Sequence, residues 1–539
     1  MRAMWPSRSC RLFASASCAL VVGACSAVGA GEGAAHAGSG AAAHAGQVEA
    51  QLLVHTELGA VHGQLEEGTR EFLGIPYAKP PVGLLRFSAP VPADAWGGTL
   101  EATQFGDACP QQDPVLSPQQ MQSENCLSLN VYTPAAVTEP LPVMVFIHGG
   151  AFVSGGSSQY DAKALSANRL VVVTLNYRLG ALGFFSHPAL DATRAEAPAG
   201  SDGLRDQQLA LRWVHDHIAA FGGEPKNVTL FGESAGAISA CLHWVAPSSA
   251  TLAQRFIIES GACTSDAYAV QDKSEANAMG RDLASELCPG ASDVLGCLRE
   301  KSVEELVQWG VTRGQFGAGW RPTIDGPGGV LPDTVEHLMD SNAALSPIII
   351  GTNAREWGLF QRLGAAKLDN REKLTRILAA TFGSKADQVA KYYPARTDEQ
   401  AGEVYIRLVT DAAFTCPTRN LARLASRHGA SVFLYSFEQG SALHAQELDY
   451  VFGDNIMSYY YDAVPPSAAL TAAVQRYWKQ FALRGDPNGA GGVEWPRYTV
   501  DADRHLVLVD PPRAGHALGR AACEFWHGYF EAGGTMDLH

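Results

Sequence analysis

The sequence predicts an α/β fold: a large, mostly parallel central sheet with helices on both faces and helical insertions above it. Two observations carry this. Several short runs are apolar at every position, as strands buried on both faces must be, and helical stretches rather than hairpin turns separate them. Pro142–Ile147, Leu170–Leu175, Val228–Phe231, Pro347–Ile350 and Val432–Tyr435 are such runs. Between them lie helical patterns such as Asp206 to Ala220, with Leu209, Leu211, Trp213, Val214 and Ile218 near one side. This alternation requires crossovers, which leave strands parallel and helices on both faces. Two polar, helix-rich stretches, about Asp266 to Gly317 and Gly364 to Asp411, interrupt the rhythm and read as insertions roofing the sheet.

From the N-terminus, Arg2, Arg8 and Arg11 precede the apolar stretch Leu12 to Ala24, which is too short to span a bilayer. Residues 1–24 therefore read as an export signal. Val22-Gly23-Ala24-Cys25 resembles the lipobox of bacterial lipoproteins, with Cys25 as the acylated residue and membrane attachment through that lipid alone. Ser26, not an aspartate, then points to the outer membrane. The other reading is an ordinary signal peptide cut at a later site such as Ala43-His44-Ala45, giving a periplasmic or secreted protein. Residues 25–47, mostly Gly, Ala, Ser and His, cannot build a core and read as a flexible linker. One domain, 48–535, follows without internal repeat or second linker.

Charge excludes one class of partner. Lys and Arg total 40 against 55 Asp and Glu, a net charge of -15 with no basic stripe, so nucleic acid is not expected. Of the 11 cysteines, Cys10, Cys18 and Cys25 fall in or at the end of the signal. The rest form an even set, as an oxidising compartment favours. None lies in a metal-ligand spacing, so no metal is expected, and the chemistry below needs no cofactor.

Gly232-Glu233-Ser234-Ala235-Gly236 fits Gly-x-Ser-x-Gly between the strand ending at Phe231 and a helical stretch. A serine on so sharp a turn needs small neighbours, and the helix N-terminus behind it favours developing negative charge. Its hydroxyl is a weak nucleophile, so a histidine must take its proton and a carboxylate must orient that histidine. In the chain order Ser, acid, His, the candidates are Ser234, Glu356 after the strand Pro347–Ile350, and His444 after the strand Val432–Tyr435. His148-Gly149-Gly150-Ala151-Phe152 follows another strand, where glycines let amides approach a tetrahedral oxyanion.

These segments resemble the type B carboxylesterase family, the cholinesterase-like branch of the α/β-hydrolases, along nearly all of Val54 to Phe530. The likeness rests on Phe72 to Ala78, Glu124 to Tyr132, Phe231 to Gly236, Gly351-x-Asn353-x-x-Glu356, and His444 nine residues before Gly453. It implies an α/β-hydrolase fold and a serine esterase working through an acyl-enzyme, with Ser234, Glu356 and His444 as triad. By the same resemblance Gly150, Ala151 and Ala235 donate the oxyanion-hole hydrogen bonds, and Glu233, Glu447 and Ser260 form a buried supporting group. One departure is Trp357, where the family usually has glycine and where bulk could crowd the acid loop while leaving the carboxylate present. The resemblance implies disulfides Cys109–Cys126, Cys288–Cys297 and Cys416–Cys523. Cys241 and Cys263 have no family pair; the strand Phe256–Ile258 beside the serine's strand would bring them together, and two free thiols are the alternative.

The expected substrate is a small neutral alkyl or aryl ester. A lipase on longer acyl glycerides is the runner-up. A non-catalytic adhesion protein on the same fold would lack a triad. A cholinesterase is disfavoured, because Pro110 to Asn125 holds no aromatic residue to bind a quaternary ammonium.

Overall fold

A computed structural model describes residues 51–536 apart from 113–119, 195, 268, 312–318, 342–344, 364–367, 460–464 and 490. The export signal, the linker and Cys25 lie outside the described residues. Among the described residues the main sheet has 11 strands. In chain order they are β1 (Gln64–Glu66), β2 (Thr69–Pro76), β3 (Ser128–Pro134), β4 (Leu141–Ile147), β5 (Val171–Leu175), β6 (Gly223–Glu233), β7 (Arg255–Glu259), β8 (Ile348–Asn353), β9 (Val432–Phe437), β10 (Arg504–Leu508) and β11 (Arg513–His516). Across the sheet the order is β11-β10-β9-β8-β7-β6-β4-β5-β3-β2-β1. From β10 to β5 every pairing is parallel, and antiparallel strands finish both edges.

The apolar runs are continuous because each face of the sheet has its own core. Val143, Val145, Val171, Val173, Leu230, Ile258, Ile348 and Ile350 pack into one cluster. Their alternating neighbours Met144, Phe146, Val172, Phe231, Ile257 and Ile349 pack into another. Period-two alternation in the strand thus feeds two buried faces, each buried aliphatic contributing about 2 kcal/mol. The helices Asp202–His217 and Ala235–Val245 cover the first face, and Ala468–Arg484 covers the second.

The insertions behave differently from each other. Leu283, Leu298, Leu306 and Trp309 of the first join the cluster on the first face. The second builds a third cluster, in which Leu374, Leu378, Val389 and Leu408 pack with Trp526 and Tyr529 of the C-terminal helix Arg520–Glu531. That cluster also holds the Cys416–Cys523 disulfide. Cys109–Cys126 and Cys288–Cys297 are bridged as well. Cys241 and Cys263 are joined too, with Cα atoms 5.8 Å apart. That bridge ties the helix Ala235–Val245 to the segment leaving β7. Four disulfides fit an exported protein. Among the described residues no helix is long and apolar enough to cross a membrane.

Candidate active site

Ser234, Glu356 and His444 stand on loops that leave the C-terminal ends of β6, β8 and β9. β6 runs to Glu233, two residues beyond the apolar run read in the sequence, and the helix Ala235–Val245 starts immediately after Ser234. No residue is left for a connection, so Ser234 takes φ 55° and ψ -122°. Such a conformation costs a non-glycine residue about 1–3 kcal/mol and persists only where the surroundings hold it. Two contacts do the holding. Ser234 N–H donates to the Glu259 carbonyl at 2.9 Å, and the helix start is pressed so tightly onto β4 that a Cβ on Gly236 would lie 1.9 Å from the Ile147 carbonyl oxygen. Ser234 itself is half-buried among buried neighbours.

Glu356 is fully buried, and its two oxygens have separate partners. Oε1 accepts from Thr352 Oγ1–H at 2.8 Å and from Asn353 N–H at 2.7 Å. Oε2 lies 2.7 Å from His444 Nδ1. The acid and histidine loops are also joined through the backbone. Arg355 N–H donates to the Ala442 carbonyl at 2.9 Å, Asn353 Nδ2–H donates to the Leu443 carbonyl at 2.7 Å, and Arg355 and Leu443 form a parallel β-bridge. Trp357 does not crowd this loop. Its N–H donates to Thr410 Oγ1 and its ring packs on Phe360 and Tyr405, on the side of the second insertion. Phe360 and Phe414 lie with ring centres 4.9 and 5.2 Å from that of His444, walling the imidazole with apolar surface.

The far edge of the imidazole faces the serine's own segment: His444 Nε2 is 3.1 Å from Glu233 Oε1. Glu233 is buried, and burial followed by the neighbouring Glu356 and Glu259 pushes its carboxyl well above the ordinary range. Glu447 is raised for the same reasons, burial first, while Asn353 Nδ2–H donates to it and opposes the shift. Ser260 Oγ–H donates to Glu447 Oε1 at 3.2 Å. Of the three residues read from resemblance as a supporting group, Ser260 and Glu447 are bonded to each other, and Glu233 meets the histidine.

The sequence reading missed a fourth glutamate, Glu259. It is fully buried, its Oε1 accepts from Trp478 Nε1–H at 3.0 Å, and burial raises its carboxyl to about 8. Strand register explains its place. Glu233, Glu259, Gly351 and Tyr435 lie opposite one another on β6, β7, β8 and β9 and share one face of the sheet. The signal was available: Glu259 closes the apolar run Phe256–Ile258 as Glu233 closes the run to Phe231.

The third element is the loop after β4. Gly149 runs against the elbow, where a Cβ would meet the Ser234 Cβ at 3.0 Å and a Glu233 carboxylate oxygen at 2.8 Å. Gly150, Ala151 and Phe152 all have positive φ, and the Gly150 carbonyl is taken by the N–H groups of Val153 and Ser154. His148 holds the loop from beneath. Its ring stacks on Tyr177, its Nδ1–H donates to the Gly149 carbonyl at 2.8 Å, and burial lowers its pKa to about 4, keeping it neutral. Gln111 was not foreseen; it donates to and accepts from Gly155 across the same loop. Ala235 is the first residue of its helix, so its N–H belongs to the turn that has no intrahelical acceptor. Among the described residues no group of His, Cys, Asp and Glu side chains is arranged to hold a metal ion.

The arrangement places a strained serine at a helix N-terminus and, against the glutamate that precedes it, an imidazole fixed by a buried carboxylate, a constellation suited to acyl transfer. Over residues 50–526 the chain matches the family described as the Carboxylesterase family. It is 35% identical over 488 residues to a para-nitrobenzyl esterase of Bacillus subtilis (strain 168), covering 85% of this chain and 94% of that protein. It is 34% identical over 508 residues to carboxylesterase 1D of Rattus norvegicus, covering 84% and 88%. A medium-chain fatty acyl-CoA hydrolase precursor of Anas platyrhynchos is 33% identical over 523 residues, covering 88% and 91%.

Proposed function

The chain belongs to the carboxylesterase family and is a serine hydrolase of carboxylic esters; we propose that Ser234 is its nucleophile, His444 its general base and Glu356 the acid that orients the base. The contact that supports this most is Glu356 Oε2 to His444 Nδ1 at 2.7 Å, which leaves Nε2 facing the Glu233–Ser234 segment. With Nδ1–H donated to Glu356, the Nε2 lone pair takes the Ser234 proton as Oγ bonds to the ester carbonyl carbon. The carbonyl oxygen becomes an oxyanion, and the N–H groups of Gly150, Ala151 and Ala235 receive it. Collapse breaks the bond to the alkoxy group, which leaves as the alcohol with the proton from Nε2. Water, deprotonated by His444, attacks the acyl carbon in turn; the bond to Ser234 Oγ breaks, Oγ takes the proton back from Nε2, and the carboxylic acid leaves.

Neutral alkyl or aryl esters are the proposed substrates, in keeping with the apolar wall that Phe360 and Phe414 set beside His444. Residues 1–24 are proposed as an export signal, 25–47 as a linker and 48–535 as the catalytic domain. Cys25 is proposed as a lipid anchor to the outer membrane; a mature N-terminus beyond Cys25 would exclude it.

Fluorophosphonate labelling tests the nucleophile. Peptide mass mapping should find the adduct on Ser234, and Ser234→Ala should lose labelling together with several orders of magnitude of ester hydrolysis. An Ala variant keeping more than about a tenth of the wild-type rate overturns the assignment.

A further inference from the structure

The Cys241–Cys263 disulfide joins two segments that both touch Ser234. Cys241 lies about two turns along the helix that starts at Ala235, and the Ser234 carbonyl accepts the Ile238 N–H of that helix at 2.9 Å. Cys263 lies shortly after β7, whose last residue, Glu259, accepts the Ser234 N–H through its carbonyl. Between Glu259 and Cys263 the chain is pressed onto the elbow: a Cβ on Gly261 would lie 2.3 Å from the Ser234 carbonyl oxygen and 2.8 Å from the Ala237 Cβ. Ser260 takes φ 58°, and its N–H donates to the Gly351 carbonyl at 2.9 Å, which fixes this segment to β8. Both cysteines are fully buried.

At its first turn the helix is seated on bare backbone. It meets β4 through Gly236 and the segment after β7 through Gly261, and neither glycine has a side chain to key into the opposite surface. Interdigitated side chains fix one element along another, whereas bare backbone faces limit approach and oppose sliding less. We infer that the Cys241–Cys263 bridge supplies the missing stop: it fixes the helix Ala235–Val245 along its axis against the exit of β7, so that Cys241 and Cys263 are positioning residues for ester hydrolysis. This role rests on Ser234 as the nucleophile. A displacement of about 1 Å in a reacting group can cost about 100-fold in rate. The strained conformation of Ser234 also persists only while both of its neighbours are held. Stability alone does not require a bridge at this place, because Cys288–Cys297 constrains the unfolded chain from within the first insertion.

The test compares wild-type protein with Cys241→Ala combined with Cys263→Ala, and with Cys288→Ala combined with Cys297→Ala, each well below its denaturation midpoint. Fluorophosphonate counts the reactive sites, and turnover of a chromogenic ester is expressed per labelled site. Loss of Cys241–Cys263 should lower both kcat and the rate of labelling by about tenfold or more, with KM changed by less than about twofold. Loss of Cys288–Cys297 should lower the denaturant midpoint and leave kcat per site unchanged. A wild-type kcat per site in the first variant, or an equal fall in the second, would overturn the positioning role. If the first variant does not fold, wild-type protein reduced with a phosphine and left to reoxidise takes its place. Activity should then return together with the disulfide-linked Cys241–Cys263 peptide, and activity that returns before it overturns the role. Wild-type protein that fluorophosphonate does not label at Ser234 refutes the nucleophile itself, whereas labelled wild-type beside an unaffected variant refutes the role of the bridge alone.

Discussion

Glu233 Oε1 lies 3.1 Å from His444 Nε2, on the opposite edge of the imidazole from Glu356. The histidine is thus held between two carboxyl groups, and the one beside the serine has no other hydrogen-bond partner on that oxygen among the described residues. On the proposed mechanism, the imidazolium formed during acylation has a carboxyl group at each edge.

Glu233→Gln replaces one of those carboxyls by an amide, which stabilises the charge developing on the imidazole less well. The plateau of kcat/KM on a chromogenic ester should fall by about tenfold. An unchanged plateau would mean that Glu233 does not act on His444.

Glu356→Gln should be far more severe, about 10³–10⁴-fold in kcat. Thr352 Oγ1–H and Asn353 N–H both donate to Oε1, so a glutamine there will place its oxygen on them. Its NH₂ then faces Nδ1 and forces the tautomer that carries the proton on Nε2, which cannot accept one from serine. Steady-state kinetics on a chromogenic ester measures the loss, and an intact near-UV circular dichroism spectrum shows that the fold is unaffected.

Glu259 links stability to pH. Its carboxyl rises from 4.5 to about 8 in the folded protein, so between those values the native state holds a proton that the unfolded chain has released. The stabilisation is complete below the lower value and is lost as pH rises through the upper one. Glu259→Gln, which mimics the neutral carboxyl, should shrink the drop in denaturant midpoint between pH 5 and pH 9. An unchanged drop would place the linkage elsewhere.

The Cys241–Cys263 bridge closes a loop with a sequence separation of 22. Replacing both cysteines by serine should cost about 3 kcal/mol through the freer unfolded chain, read as a lower denaturant midpoint. Retention of two alkylatable thiols in unreduced wild-type protein would contradict the bridge itself.

The parallel sheet was legible because strands buried on both faces have no polar positions; Pro142–Ile147 and Pro347–Ile350 announce themselves by composition. The elbow was legible because Gly232 and Gly236 leave no space for a side chain. Glu259 was not, since a single glutamate after an apolar run looks like a strand end. Only register, which places it between Glu233 and Gly351, reveals that it belongs to the site. The role of Asn353, donating to both the histidine loop and Glu447, likewise exists only across loops far apart in sequence.

Ester hydrolysis acidifies its surroundings, since near neutrality every acid released gives up a proton. Glu233, Glu259 and Glu447 are all raised by burial, so each proton they take up as the medium sours is one the folded state holds better than the unfolded one. An enzyme surrounded by its own accumulated product therefore sits in a fold that grows more secure.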